Sequence, residues 1–435
     1  MQVDLRTNIF LERVMSTKTK IDTTDVHDDV ADHRSWNLMI GLAMGHALKH
    51  FYQQAFLLLI PSFKSALLLT DVQVGFLGTA RTIFSALMNL PAGIVADLWR
   101  SKVGLILAVS LTSLSLGYLL IGIGKSYLVV LIGVSVTGIG TSLWHAPAFG
   151  TLGAMYPSRR ATALAIHRMG GSIGDSISPI AMGILLGGFA FLGLNWDGFK
   201  WNILALLLVL PALLSAVAVL IFYGRAIGEE GGHDRQDFGD YMRSARRMIR
   251  NSTIFGMVVL TSVRAMAHGG LNIFLIVYMD EDLGFSEFQI GYHMSLLTLL
   301  GVGSAPLLGW MSDKIGRRPV IVFGLSAISA LVFCLLPFGD GLALTIILAC
   351  LGIFLYSINP VMLATSIDAV PKGTESSVTA IMFTGPAIFG AIAPVLAGRL
   401  RELYGMDAVF IFTATIVGFV ALAAVFTPMR KDPQS

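Results

Sequence analysis

Long apolar runs, separated by short polar stretches, fill the chain from residue 36 to residue 427. A helix that crosses a bilayer needs about 20 mainly apolar residues, and the runs at 36–60, 72–98, 103–124, 127–155, 161–192 and 200–223 each reach that length. A second set follows at 252–280, 286–311, 319–338, 342–370, 377–399 and 405–427. The pattern predicts an all-α membrane protein of twelve transmembrane helices. It divides the chain into a tail (1–35), a six-helix bundle (36–223), a linker (224–251), a second six-helix bundle (252–428) and a short tail (429–435).

The two sets are related to each other. The run GIVADLWRSK, Gly93 to Lys102, returns as GWMSDKIGRR, Gly309 to Arg318, with its glycine and its aspartate both displaced by 216 positions. Gln73-Val74-Gly75 matches Gln289-Ile290-Gly291, and Gly170, Pro179 and Gly183 match Gly385, Pro394 and Gly398. Landmarks that keep nearly the same offset, 216 or 215 positions, along a half-chain predict two pseudo-symmetric bundles, an arrangement from which secondary transporters are built. Gly93 and Gly309 allow close helix approach at a membrane end. Asp97 and Asp313 can accept from helix N-termini or pair with arginines. With Lys102, Gly316, Arg317 and Arg318 they make a candidate conformational latch, whose alternative is a loop that only fixes geometry and topology.

Composition agrees with the bilayer. Hydrophobic residues make up 55% and charged residues 13%, against roughly 25% charged in soluble domains. Sixteen Lys and Arg fall on one set of loops and the C-terminal tail, and five on the other. Basic loops stay in the cytoplasm, so both termini are expected there, in a bacterial inner membrane. The net charge of +3 then follows from topology and argues for no nucleic acid partner. The first 35 residues lack the apolar run of a cleavable signal, and Cys334 and Cys350, both inside apolar runs, suggest neither a disulfide framework nor a metal cluster. Asp22, Asp25, His27, Asp28, Asp29, Asp32 and His33 suit a solvated tail, with weak metal binding as the alternative. The linker ends in a basic, helix-compatible stretch, Tyr241 to Arg250, suited to the membrane surface.

Charges inside the runs carry the candidate chemistry. A basic residue at bilayer depth costs about 2.5–3.5 kcal/mol, yet Lys49, Arg81, Arg168 and Arg264 all lie there, with Asp175 the one comparably central acid. His46, Lys49, His50 and Gln53 form a polar stripe on helix 1; Arg264, His268 and Asn272 form its counterpart on helix 7. Helix 4 offers Thr137, Thr141, Trp144 and His145, and helix 10 offers Tyr356 and Asn359. Excess cationic charge favours an anion, and arginine suits carboxylate-like groups. Lys49 and Arg264 are the expected contacts to the charged end of a solute, with His46, His50, His145, Trp144, His268, Tyr356, Arg81 and Arg168 around it. Asp175, His145 and His268 are the candidate proton carriers. Snorkelling of Arg168, a structural Arg81, packing of Trp144 and a structural ion pair of Asp175 are the alternatives. Six histidines over five runs make a poor metal site, and no resident metal or other cofactor is expected. Without a phosphate-binding glycine loop, metalloprotease motif or nucleophile elbow, the chain is not expected to be an enzyme.

The repeated loop resembles that of the major facilitator superfamily, Gly-x-x-x-Asp-Arg-x-Gly-Arg-Arg/Lys. Gly309, Asp313, Lys314, Gly316, Arg317 and Arg318 follow it closely, whereas Leu98, Arg100 and Ser101 depart from it in the first copy. Gly138 to Pro179 is similar to the fosmidomycin-resistance branch, in Trp144-His145-Ala146-Pro147 and in Gly170-Gly171-Ser172-Ile173-Gly174 followed by Ser178-Pro179. The resemblance implies a twelve-helix transporter, a monomer, whose helices 1, 4, 7 and 10 line a central cavity. It also implies an arginine at position 134, where Val134 stands, so proton coupling through that residue is not available. The combined expectation is proton-coupled export of a small organic anion by alternating access. Proton-coupled uptake, and a transporter-like sensor or complex subunit, are the alternatives.

Overall fold

The computed structural model describes residues 23–98, 100–156, 159–191, 193–223, 250–369 and 375–429. Twelve helical segments follow one another there. α1 is Thr23–Ala66, α2 Asp71–Leu98, α3 Val103–Ile123, α4 Tyr127–Met155 and α5 Arg160–Gly187; α6 spans Trp201–Phe222. In the second half α7 spans Ser252–Asp282, α8 Glu287–Ile315 and α9 Arg317–Phe338. α10 spans Gly341–Asp368, α11 is Glu375–Tyr404 and α12 Met406–Phe426. Ten of these helices, from α3 to α12, are long and apolar enough to cross a membrane among the described residues. α1 and α2, 44 and 28 residues long, occupy the first two positions of the expected pattern.

The packing repeats with the sequence. α1 lies on α5 as α7 lies on α11, α2 on α4 as α8 on α10, and α3 on α6 as α9 on α12. Between the halves, α2 packs on α11 and α5 on α8. Close approach at these crossings needs small residues. A Cβ added to Gly75 or Gly398 would lie 2.4 Å from the carbonyl oxygen of Pro394 or Asp71, and one on Gly291 2.4 Å from that of Pro179. Without a strong hydrophobic drive between helices in lipid, such backbone contact and the hydrogen bonds beside it hold membrane bundles together.

Several boundaries differ from the sequence expectation. Residues 23–35, expected in the tail, continue α1 as helix. α5 stops at Gly187 rather than 192, because Gly188 takes φ 72° and the chain turns into a hairpin. Its strands, β1 Phe189–Phe191 and β2 Leu194–Trp196, pair Phe189 with Trp196. α10 is interrupted at Tyr356 and Ser357, where Pro360 has no N–H to give the carbonyl four residues earlier. The acidic and histidine side chains of the N-terminal tail and the linker stretch Tyr241 to Ile249 lie outside the described residues.

One end of the bundle, carrying the 67–70 and 283–286 connections, is held shut by an ion-pair network across the halves. Arg401 at the end of α11 pairs with Asp71 at 2.8 Å, Glu281 at 2.8 Å and Asp282 at 2.5 Å. Lys64 at the end of α1 pairs with Asp71 at 2.7 Å and Glu281 at 2.5 Å. Val72 N–H donates to Glu402 Oε1 at 3.0 Å, and deeper in, Thr79 donates to the Ala391 carbonyl at 2.5 Å. The side chains of Lys64, Asp71 and Arg401 are about nine-tenths buried, so removing one partner strands charge rather than exposing it. Arg401→Gln is expected to shift the protein by about 2–3 kcal/mol toward a conformation open at this face. Spin labels at Leu68 and Tyr404, both exposed, should report a longer and broader distance in a background without Cys334 and Cys350. An unchanged distribution would show that the network does not hold the face closed.

Candidate functional site

The first half carries a polar cluster where α1 meets α5. Gly170 and Gly174 put the backbones in contact: a Cβ on Gly170 would lie 2.2 Å from the Ala43 carbonyl oxygen, and one on Gly174 2.1 Å from that of Ala47. This small-xxx-small spacing sets His46 and His50 of α1 against His167 and Asp175 of α5. His46 Nδ1 lies 2.7 Å from the His167 carbonyl oxygen, and the two rings stack at 4.1 Å. His50 Nδ1 lies 2.9 Å from Asp175 Oδ2, whose other oxygen accepts from Gln54 Nε2 at 3.0 Å. His50 Nε2 is 3.1 Å from His46 Nε2. From α4, His145 Nε2 accepts from Lys49 Nζ at 2.8 Å.

Lys49 is only 2% exposed. The ring nitrogens of His46, His50 and His145, which the sequence placed around one site, come within 4.8 Å of one another. The ammonium of Lys49, 2.8 Å from His145 and 3.4 Å from His50, already stands among them. The cation this donor set faces is therefore one that the chain supplies itself.

The second half carries its own cluster between α7 and α10. Arg264, 4% exposed, donates through Nη1 to the Leu355 carbonyl at 3.2 Å and through Nη2 to Asn359 Oδ1. Both acceptors flank the break in α10; the interruption leaves the Leu355 carbonyl open to the arginine, and Asn359 adds a side-chain oxygen. One turn along α7, His268 Nε2 and Asn272 Nδ2 are 3.0 Å apart, and the His268 and Tyr356 rings meet edge-on at 5.5 Å. Among the described residues, no hydrogen bond or ion pair joins this cluster to the one around Lys49.

Other expected residues fall elsewhere. The Arg81 guanidinium sits 4.9 Å over the Phe56 ring, a cation–π contact. Trp144 is fully buried and packs on Gly45, where an added Cβ would lie 2.2 Å from its ring. Arg168 is exposed. Thr137 and Thr141 turn their hydroxyls back to carbonyls of their own helix. On α1, Gln54 and not Gln53 completes the stripe; its i+4 step from His50 was the available signal. His167 was missed as a neighbour of His46, since only the α1–α5 contact brings them together.

The second copy of the repeated loop braces one half internally. Arg317 pairs with Asp313 at 2.5 Å and Asp368 at 3.0 Å and donates to Ser312 Oγ at 2.6 Å, while Arg318 donates to the Thr427 carbonyl at 2.9 Å. Gly316, at φ 93°, makes the turn between α8 and α9. Gly309 has nothing within 4 Å of an added Cβ, and the nearest atom to one on Gly93 is Ala146 Cβ at 3.6 Å. Lys102 is exposed, and the Asp97 side chain lies outside the described residues.

Paired helix packing, buried charge at two symmetric positions and the repeated loop agree with a comparison of the whole sequence. The family profile of the Major Facilitator Superfamily matches residues 42–263 and 257–435. The chain belongs to that superfamily. It is therefore a membrane transporter and not an enzyme. Its relatives include the fosmidomycin resistance protein of Escherichia coli, 20% identical over 92% of this chain and 93% of that one. Monocarboxylate transporter 12 of Rattus norvegicus is 24% identical over 79% of this chain and 74% of that one. Among solved structures, a bacterial homolog of the human lysosomal transporter Spinster, inward-facing and unoccupied, superposes with a TM-score of 0.72 at 17% identity. It covers 91% of this chain and 96% of that chain.

The glycine contact under the first cluster is open to test. Gly174→Ala is expected to cost about 1–3 kcal/mol through forced helix separation, and Gly309→Ala less than about 0.5 kcal/mol. Thermal unfolding of the purified transporter in detergent reads both, and equal midpoints would show that the α1–α5 contact does not support the cluster.

Proposed function

We propose that this superfamily member exports a small organic anion by alternating access, with Lys49 and Arg264 holding the anionic end and protons as the coupling ion. One observation carries the reading. Lys49, Arg81 and Arg264 lie within the spans and have no carboxylate partner among the described residues, while Asp175 is taken up by His50 and Gln54. Buried charge left unneutralised by the protein favours a ligand of opposite sign, and the ammonium and guanidinium keep N–H groups beyond those used on His145, Leu355 and Asn359. The relative named a monocarboxylate transporter supports the same class of solute.

The face bearing both termini is taken as cytoplasmic, from the sixteen-to-five distribution of basic loop residues, in the inner membrane of a bacterium. The ion-paired face is then external, and the conformation inward-facing. The working unit is a monomer. Asp175, His145 and His268 are the groups placed to carry protons, with Tyr356, His46 and His50 beside the anion.

Proteoliposomes with imposed pH gradients of either sign, given panels of anionic, neutral and cationic solutes, test this. Anion flux should follow the gradient, and Lys49→Ala and Arg264→Ala should each weaken anion binding about 10- to 100-fold. Gradient-driven movement of cations but not anions would overturn the reading. So would wild-type affinity in both variants.

A further inference from the structure

The contact between His268 and Asn272 leaves one donor and one acceptor without partners. His268 Nε2 and Asn272 Nδ2 are 3.0 Å apart, and an amide nitrogen only donates, so Nε2 accepts and the neutral ring carries its proton on Nδ1. That Nδ1 and the Asn272 Oδ1 are both buried with no hydrogen-bond partner among the described residues. Exchanging the oxygen and nitrogen of the amide moves the ring proton to Nε2 and swaps the two roles. One donor and one acceptor remain in either arrangement.

The neighbours do not complete the set. Tyr356 of α10 meets the His268 ring edge-on at 5.5 Å, and its hydroxyl is itself buried without a partner. Arg264, one turn earlier on α7, spends Nη1 and Nη2 on the Leu355 carbonyl and Asn359, while its Nε is likewise buried and unpaired. Buried polar groups in folded proteins are almost always bonded, so a stretch of α7 and α10 with four unpaired atoms is suited to a ligand that bonds them.

We infer that the His268–Asn272 pair binds a hydroxyl group of the solute, which makes the substrate a hydroxylated organic acid. A hydroxyl donates to one member of the pair and accepts from the other. A carboxylate, ketone or ether only accepts and an ammonium only donates, so each leaves one member buried and unbonded; an alkyl group leaves both. The Arg264 Nε–H has the opposite need, since it donates alone and suits the carboxylate. Two ends of one solute are thus read by different chemistry on successive turns of α7. That the solute is an acid rests on the anion-transport reading; recognition of its hydroxyl does not.

Isothermal titration of purified full-length protein in detergent compares parent acids with their hydroxylated forms. Butyrate is set against 2-, 3- and 4-hydroxybutyrate, and benzoate against 2-, 3- and 4-hydroxybenzoate. In at least one series a hydroxylated acid is expected to bind about 10- to 100-fold more tightly than its parent. Asn272→Leu, which keeps the branched shape and removes the amide, should lower that ratio about tenfold, each ratio being taken within one protein. If Asn272→Leu does not fold, His268→Phe, which keeps a ring against Tyr356, carries the same expectation. Equal binding of parent and hydroxylated acids by the wild type overturns the inference and leaves the anion reading standing, as does a preference that survives in the variant. Saturable binding of glycerol but of none of the acids would keep the hydroxyl pair and remove the anion reading. Binding of none of these compounds removes both.

Discussion

A charged nitrogen in the middle of a bilayer must be surrounded by acceptors, because leaving it bare costs about 2.5–3.5 kcal/mol per residue. Lys49 meets that demand with the His145 imidazole, and Arg264 with a side-chain amide and a carbonyl beside a broken helix. Neither uses a carboxylate. Neutral acceptors solvate the cation without cancelling it, so each half keeps positive charge in its interior. A carboxylate at either place would have made a closed ion pair and left nothing for a solute.

Holding rings and carboxylate at hydrogen-bond distance requires helices that nearly touch. Gly170 and Gly174 provide this between α1 and α5, and Gly75, Gly291 and Gly398 provide it between the halves. The two uses of glycine serve different ends. Within a half the contact is tied to the polar cluster; between halves it lies near an ion-pair network that a conformational change must break. The latter contacts belong to one network, so Arg401, Lys64 and their acids at the end of the bundle are released together when that face opens.

The apolar periodicity made the helices legible, and the 216-residue offset made their pairing legible. Boundaries failed where backbone chemistry outweighed hydropathy, at Gly188 and before Pro360. Lys49 and Arg264 stood out because a charge in an apolar run has few neutral explanations. The partners did not stand out, since His167 and Asp175 meet α1 only through a crossing that no one-helix pattern contains. Gln54 lay on the His46–His50 face at four-residue steps and was readable. Trp144 read equally as a ligand contact or as packing, and its ring lies against Gly45, a contact that depends on the direction the ring takes.

Asp175, which pairs with His50, and the interface between halves share one stretch of α5. Asp175 precedes Ser176, whose carbonyl accepts from Ser295 Oγ of α8 at 3.0 Å, and that same hydroxyl accepts from the Ile180 N–H at 2.8 Å. Pro179, one turn beyond Asp175, has its carbonyl against Gly291. The glycine contact at 170 and 174 opposes separation of α5 from α1, so a motion that breaks the Ser176–Ser295 contact carries the two helices as a pair. A ligand with equal affinity for both states could not bias whether α5 and α8 remain engaged, whereas one held differently in the two can.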